Sequence, residues 1–255
     1  MLRDRYDVVF RAEPETLAAQ GELLDLLWEH LSERQPDLYT FDNDTITIRP
    51  TRQKYARTDF HDRPLELASR LIQDDLVIMR ASDRGHRLVA ASLCFPSSWS
   101  LAEKFGHPLA DIHRPVPGFQ RGTRIADMIE RIFTHLKTDY PVERFNWSLY
   151  DDPRLHYQER HHAAHAQMWN PDDPRAWIRV ERQTLRRLPV SGDIVFTIKI
   201  CVDPIAVLKR LPDGPRLAAS FADQILALDR DQLAYKGMAD TPMPTQKERY
   251  GVAAE

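Results

Sequence analysis

The chain has 255 residues, with 35 Lys and Arg against 38 Asp and Glu, a net charge of −3 and 42% hydrophobic residues. That apolar content supports a packed core and excludes a disordered chain, while the near-balanced charge gives no reason to expect nucleic acid or an anionic membrane as partner. The opening MLRDRYDVVF is no signal peptide and no stretch approaches a membrane-spanning length, so a cytoplasmic protein is expected.

Leu17, Leu23, Leu24, Leu27 and Leu31 fall at helical spacing between Glu13-Pro14 and the breaker Gln35-Pro36. Two short strands follow, Leu38–Phe41 and Thr45–Ile48, with Asp42-Asn43-Asp44 as the turn. Pro64 opens a helix, PLELASRLI. The pattern then turns to β, with Leu76–Met79 and Leu88–Phe95 joined through Ser82-Asp83-Arg84-Gly85. Leu101–Phe105 reads as a short helix and His107–Gly118 as a proline-rich loop; Ile125–Leu136 reads as a helix and Phe145–Tyr150 as a strand. Residues 151–175 form an irregular excursion, followed by the long strands Trp177–Leu188 and Asp193–Val202. Pro204–Leu211 and Leu217–Leu228 are helical, with a polar tail after Lys236. Strands that arrive as hairpins predict an antiparallel sheet with flanking helices, an α+β single domain. It comprises a helical N-terminal part (1–35), a sheet core (37–203) and a helical C-terminal part (204–237).

Nine glycines are placed so that no G-x-G occurs, and neither a P-loop nor a dinucleotide fingerprint is available. Two cysteines, Cys94 and Cys201, cannot build a disulfide scaffold or a thiolate metal site; both sit in apolar strand-like runs that predict buried, reduced thiols. In Asp193–Val202 the even positions from Ile194 to Val202 form one apolar face, while Val195, Thr197, Lys199 and Cys201 form a mixed one. In Trp177–Leu188 neither face is cleanly apolar, since Arg179, Glu181 and Gln183 alternate with Arg182, Thr184 and Arg186. A central strand so rich in charge is either a salt-bridge ladder or a wall against a polar or anionic ligand.

Six ordered blocks resemble one family: LELASRLIQDDL (65–76), GHRLVAASLCFPSSW (85–99), LAEKFGHPLADIHRPVPG (101–118), NWSLYDDP (146–153), RVERQTLRRLP (179–189) and VFTIKICVDP (195–204). They are similar to the haem-dependent oxidative N-demethylases, whose characterised type is the haem-bearing alpha subunit of dimethylamine monooxygenase. The resemblance implies a PAS-like antiparallel sheet cupping a b-type haem. It also implies oxygen-dependent demethylation of a small secondary amine such as dimethylamine, with release of formaldehyde. Electrons would come from a separate flavin and iron–sulfur reductase subunit, accompanied by a folate-binding subunit. The chain departs from the family at Ser98 and Lys199, where arginine is the more usual residue. A second reading is a PAS-like module that senses haem or a small ligand without catalysis.

Within that resemblance, haem iron needs an axial ligand, most often a neutral histidine held through its other ring nitrogen. His113 is the first candidate, in a loop stiffened by Pro115 and Pro117, and His86 and His107 are the runners-up. His161 and His165 stand at i, i+4 but lack a completing ligand, so the run of His156, His161, His162 and His165 around Glu159 reads as a solvated insert. Arg179, Arg182 and Lys199 are the candidate partners of the haem propionates. Leu93, Phe95, Val195 and Trp147 are candidate walls for the apolar haem faces. An alkylammonium substrate needs a carboxylate or aromatic neighbour, and Glu181, Asn146 and Trp147 supply these, with Asp75 as a weaker choice.

Overall fold

A computed structural model describes residues 1–120, 122–158 and 175–239. The chain opens with a single turn, α1 (Tyr6–Val9), and a short strand, β1 (Phe10–Ala12). Helix α2 (Leu17–Arg34) follows the leucine spacing and buries Ala19, Leu23, Leu24 and Leu31 along one stripe. Strands β2 (Tyr39–Asp42), β3 (Thr45–Ile48) and β4 (Gln53–Ala56) form a small antiparallel sheet. Asn43 takes the left-handed conformation at the first turn (φ 50°), which asparagine tolerates. The third strand was not expected, because QKYA shows no apolar alternation. Helix α3 (Pro64–Leu71) begins at its proline as expected.

The main sheet adds β5 (Asp74–Ser82), β6 (Gly85–Ser92), β7 (Val142–Tyr150), β8 (Trp177–Arg187) and β9 (Ile194–Pro204). Its order is β1-β6-β5-β9-β8-β7, with every neighbouring pair antiparallel. Between β6 and β7 run α4 (Leu101–Lys104), α5 (Leu109–Ile112) and α6 (Arg124–His135), so the expected proline-rich loop holds one helical turn. After β9 come a 3-10 segment (Ile205–Arg210), α7 (Gly214–Leu226) and α8 (Arg230–Tyr235). Among the described residues no helix is long and apolar enough to cross a membrane.

Strand alternation divides the apolar residues among three cores. On the outer face, Leu76, Ile78, Ala90 and Val195 pack with Leu23, Leu24, Leu65 and Ala68 of α2 and α3. On the inner face, Val77, Met79, Ala91, Leu93, Ile194 and Phe196 pack with Leu101, Leu109 and Phe133 of the intervening helices. A third core joins Trp147, Leu149 and Ile178 to Phe221, Ala222 and Ile225 of α7. Leu93, Val195 and Trp147 therefore belong to three different cores and do not share a wall.

The thiols correct one expectation. Cys94 is only half-buried and Cys201 is exposed. The cause is parity: in β9 the positions Lys199, Cys201 and Asp203 all face solvent, so an apolar-looking run is apolar on one face only.

Candidate functional site

His113 follows the single turn α5, and two devices fix its surroundings. Thr123 caps α6 by accepting from the Ala126 N–H at 3.3 Å and donates to the Gln120 carbonyl at 2.8 Å. Gly118 turns the chain with φ +78°, and a β-carbon there would stand 3.1 Å from Ile125 Cδ1. The turn brings Phe119 to stack on the His113 ring, with centroids 4.8 Å apart.

The imidazole is held in one tautomer. Its Nδ1 lies 3.0 Å from the Leu109 carbonyl, which can only accept, so Nδ1 carries the proton and Nε2 keeps its lone pair. Burial, with smaller contributions from the charges of Arg144 and Lys104, pushes the His113 pKa down to about 4. The ring is neutral throughout the physiological range. A neutral histidine with a carbonyl-held Nδ1–H is the form in which imidazole ligates a metal.

Opposite the apolar core, β7 and β8 present a polar floor. Pairing places Asn146 opposite Glu181 and Arg144 opposite Gln183, so all four share a face with Arg179. Glu181 Oε2 accepts from Gln183 Nε2 at 2.8 Å and from Asn146 Nδ2 at 3.3 Å. Gln183 Oε1 accepts from Arg144 Nε at 2.7 Å. From α8 and its C-cap, Lys236 Nζ donates to the Trp147 carbonyl at 2.5 Å and reaches Asn146 Oδ1 at 3.5 Å. Glu181 is 8% exposed and Gln183 7%, so this array is ordered by its own bonds rather than by water.

Arg179 is 1% exposed and ties three segments together. It donates to the Phe95 carbonyl at 2.5 Å and to the Leu155 carbonyl at 3.0 Å, and its buried Nε has no hydrogen-bond partner. Asp75 accepts from the Cys94 N–H at 2.6 Å and the Phe95 N–H at 3.0 Å, closing the same knot. Burial raises the Asp75 pKa to about 7 against the pull of those amides and Arg179. His156 donates from Nδ1 to the Cys94 carbonyl at 2.9 Å, so this member of the expected solvated insert is packed; His161, His162, His165 and Glu159 lie outside the described residues.

The other sequence candidates scatter. His86 is buried with Nδ1 3.4 Å from Glu130 and its ring against Phe133, a packed and partnered side chain. His107 is exposed. Arg182 and Lys199 are paired with each other across β8 and β9, on the face opposite Glu181. There the Arg182 guanidinium lies 2.5 Å from Glu143. The three cations expected around one anion therefore do not converge, because alternation separates Arg179 from the other two. Trp147 also faces away from Asn146, with its Nε1 donating to Gln224 at 2.9 Å.

Arg144, Gln183 and Lys236 join the site without having been singled out from sequence. The available signal was the period of two that links Gln183 to Glu181 and Arg144 to Asn146. The register between the two strands, which makes the group, is set by packing.

Helix α6 supplies the last feature. Arg187 fixes its C-terminal end by donating to the Phe133 and Leu136 carbonyls, each at 2.7 Å, so a cation satisfies carbonyls the helix leaves open. Toward its start Ile125 is 39% and Met128 52% exposed, although both lie on its apolar stripe. Over residues 1–243 the chain matches the family described as haem-dependent oxidative N-demethylase, alpha subunit-like, and it belongs to that family.

Proposed function

We propose that this member of the haem-dependent oxidative N-demethylase family holds a b-type haem through His113 Nε2 and demethylates a small secondary amine. The observation that carries the reading is the His113 imidazole: neutral, fixed in the Nδ1–H tautomer, and stacked on Phe119 beside the charged floor of β7 and β8. The order of the five main strands, second-first-fifth-fourth-third by chain position, supports a PAS-like sheet. The absence of a C-x-x-C-H motif implies non-covalent attachment.

Bound haem would supply oxygen activation and oxidation of an N-methyl group. For dimethylamine the balance is one amine, one O2, two electrons and two protons giving methylamine, formaldehyde and water. The electrons would come from a partner reductase, since the chain lacks a dinucleotide fingerprint. The chain's own contribution is positional. Asn146 and Gln183 both donate to Glu181 Oε2, and Oε1, which lies 3.8 Å from Arg179 Nε, would accept an N–H of a protonated amine.

The absorption spectrum tests the reading. Wild-type protein supplied with haem should show a Soret band that His113→Ala loses or shifts, while His86→Ala and His107→Ala keep it. An unaltered band in His113→Ala would move the ligand elsewhere. Formaldehyde and methylamine formed with O2 and a reductase would separate the enzyme from a haem sensor.

A further inference from the structure

The floor of the site carries more positive charge than its own carboxylates neutralise. Arg144, Arg179 and Lys236 all converge on Glu181: Lys236 through Asn146, Arg144 through Gln183, and Arg179 with Nε 3.8 Å from Oε1. Asp75, the other carboxyl group nearby, is committed to the Cys94 and Phe95 amides. Arg179 spends its two terminal nitrogens on backbone carbonyls and is sealed from solvent. Arg144 and Lys236 differ from it. Each has a donor directed to a neutral oxygen, Gln183 Oε1 for one and the Trp147 carbonyl for the other, and neither forms an ion pair among the described residues. Lys236 Nζ also lies 4.4 Å from the Trp147 ring centroid, and the two cations share the single carboxylate of Glu181, so a second anion beside them is favourable.

The electrostatics agree with that geometry. Arg144 is exposed as a whole, yet burial around its guanidinium lowers its pKa. Lys236 is depressed to about 8, chiefly by burial, with Arg144 adding to the depression and Glu181 opposing it. Arg144 also acts on His113. Two neighbouring cations that share one carboxylate form a receptor for a second.

We propose that Arg144 and Lys236 together bind a carboxylate ligand at the floor formed by Asn146, Glu181 and Gln183. One source is a haem propionate, an assignment that rests on the reading of His113 above. The other is the carboxylate of an N-methyl amino acid, whose ammonium group would meet Glu181. The cation pair itself does not depend on which applies. A guanidinium with free N–H groups can grip a carboxylate bidentately, and the lysine adds a compact charge.

The test titrates the full chain with haem and with haem dimethyl ester, whose propionates carry no charge. Wild-type protein should bind haem about 10- to 100-fold more tightly than the ester, the range of one or two charge-assisted contacts. Arg144→Gln and Lys236→Met should each lose most of that preference while binding the ester unchanged, and Lys236→Arg should keep part of it. Unchanged ester binding reports an intact fold. If haem and ester bind alike, the second source is read from KM: in both variants N-methylglycine should weaken at least about 10-fold more than dimethylamine does. No preference in either assay overturns the proposal. If the wild type binds no haem at all, the haem reading fails separately. The pair is then judged by whether succinate raises the melting temperature of the wild type but not of the double variant; equal shifts overturn it.

Discussion

The inner face of the main sheet has two halves built from neighbouring strands to opposite ends. Over β5 and β6 it is apolar, sealed by Leu101, Leu109 and Phe133 from the helices above. Over β7 and β8 it is polar, with Arg144, Asn146, Glu181 and Gln183 joined by hydrogen bonds. The difference lies in how α6 is attached. Arg187 clamps its C-terminal end, while Ile125 and Met128 near its start remain exposed. Folding is driven by the first half; the second half accepts an electrostatic cost that a bound ligand can offset.

That contrast predicts its largest effect in the apolar half. Phe133→Ala removes an aromatic ring that is 5% exposed and packed against His86, so unfolding in urea should show a loss of about 3–5 kcal/mol. Glu181→Gln keeps the volume and acceptor of the polar half, and it should cost under about 1.5 kcal/mol while weakening amine binding far more. A Glu181→Gln loss as large as that of Phe133→Ala would show that the floor is core and not site.

The apolar half was also the legible half. Ile129 and Phe133 at helical spacing, and Val77 and Met79 at strand spacing, declare their inward faces in the sequence. The polar half was legible only as a puzzle, a charge-dense strand at Arg179–Arg186 with two readings. The salt-bridge reading holds on one face, where Arg182 pairs with Glu143 in solvent, while on the other face Glu181 anchors a buried array. Sequence spacing could not show that Asn146 opposes Glu181, nor that Lys236 folds back from the chain's far end onto β7. The three cations named from sequence therefore lie on two faces, Arg179 on one and Arg182 with Lys199 on the other. The His113 loop was legible because its chemistry, with prolines and a left-handed glycine, is local.

Asp75 sharpens the comparison where the two halves meet. Its pKa is raised by burial to about 7 from an unfolded value near 3.8, so the native state holds a proton that the unfolded chain releases across that window. Stability from this site is therefore complete below pH 4 and declines as pH rises toward 7. Asp75→Asn removes the titration, and its stability relative to wild type should rise across the same window by up to about 4 kcal/mol, at 1.36 kcal/mol per pK unit. Urea denaturation at intervals of pH measures it. A difference that stays flat would mean that the Cys94 and Phe95 amides keep the carboxylate ionised.

The smallest expected effect is the most discriminating for the position of the site. Arg182 stands on the opposite face from Glu181, 48% exposed, and its ion pair with Glu143 is comparably open to solvent. Exposed pairs of this kind contribute about 0.2–1 kcal/mol, because water screens the attraction and two long side chains must be ordered. Arg182→Leu should thus change stability by less than about 1 kcal/mol and leave haem affinity unaltered, whereas Arg144→Gln, two strand positions from Asn146, should weaken it. Equal haem affinities for Arg144→Gln and wild type, with a loss in Arg182→Leu, would place the ligand on the other face of β8. The division of the inner face would then describe packing alone, and the uncompensated charge at Arg144 and Lys236 would need another partner.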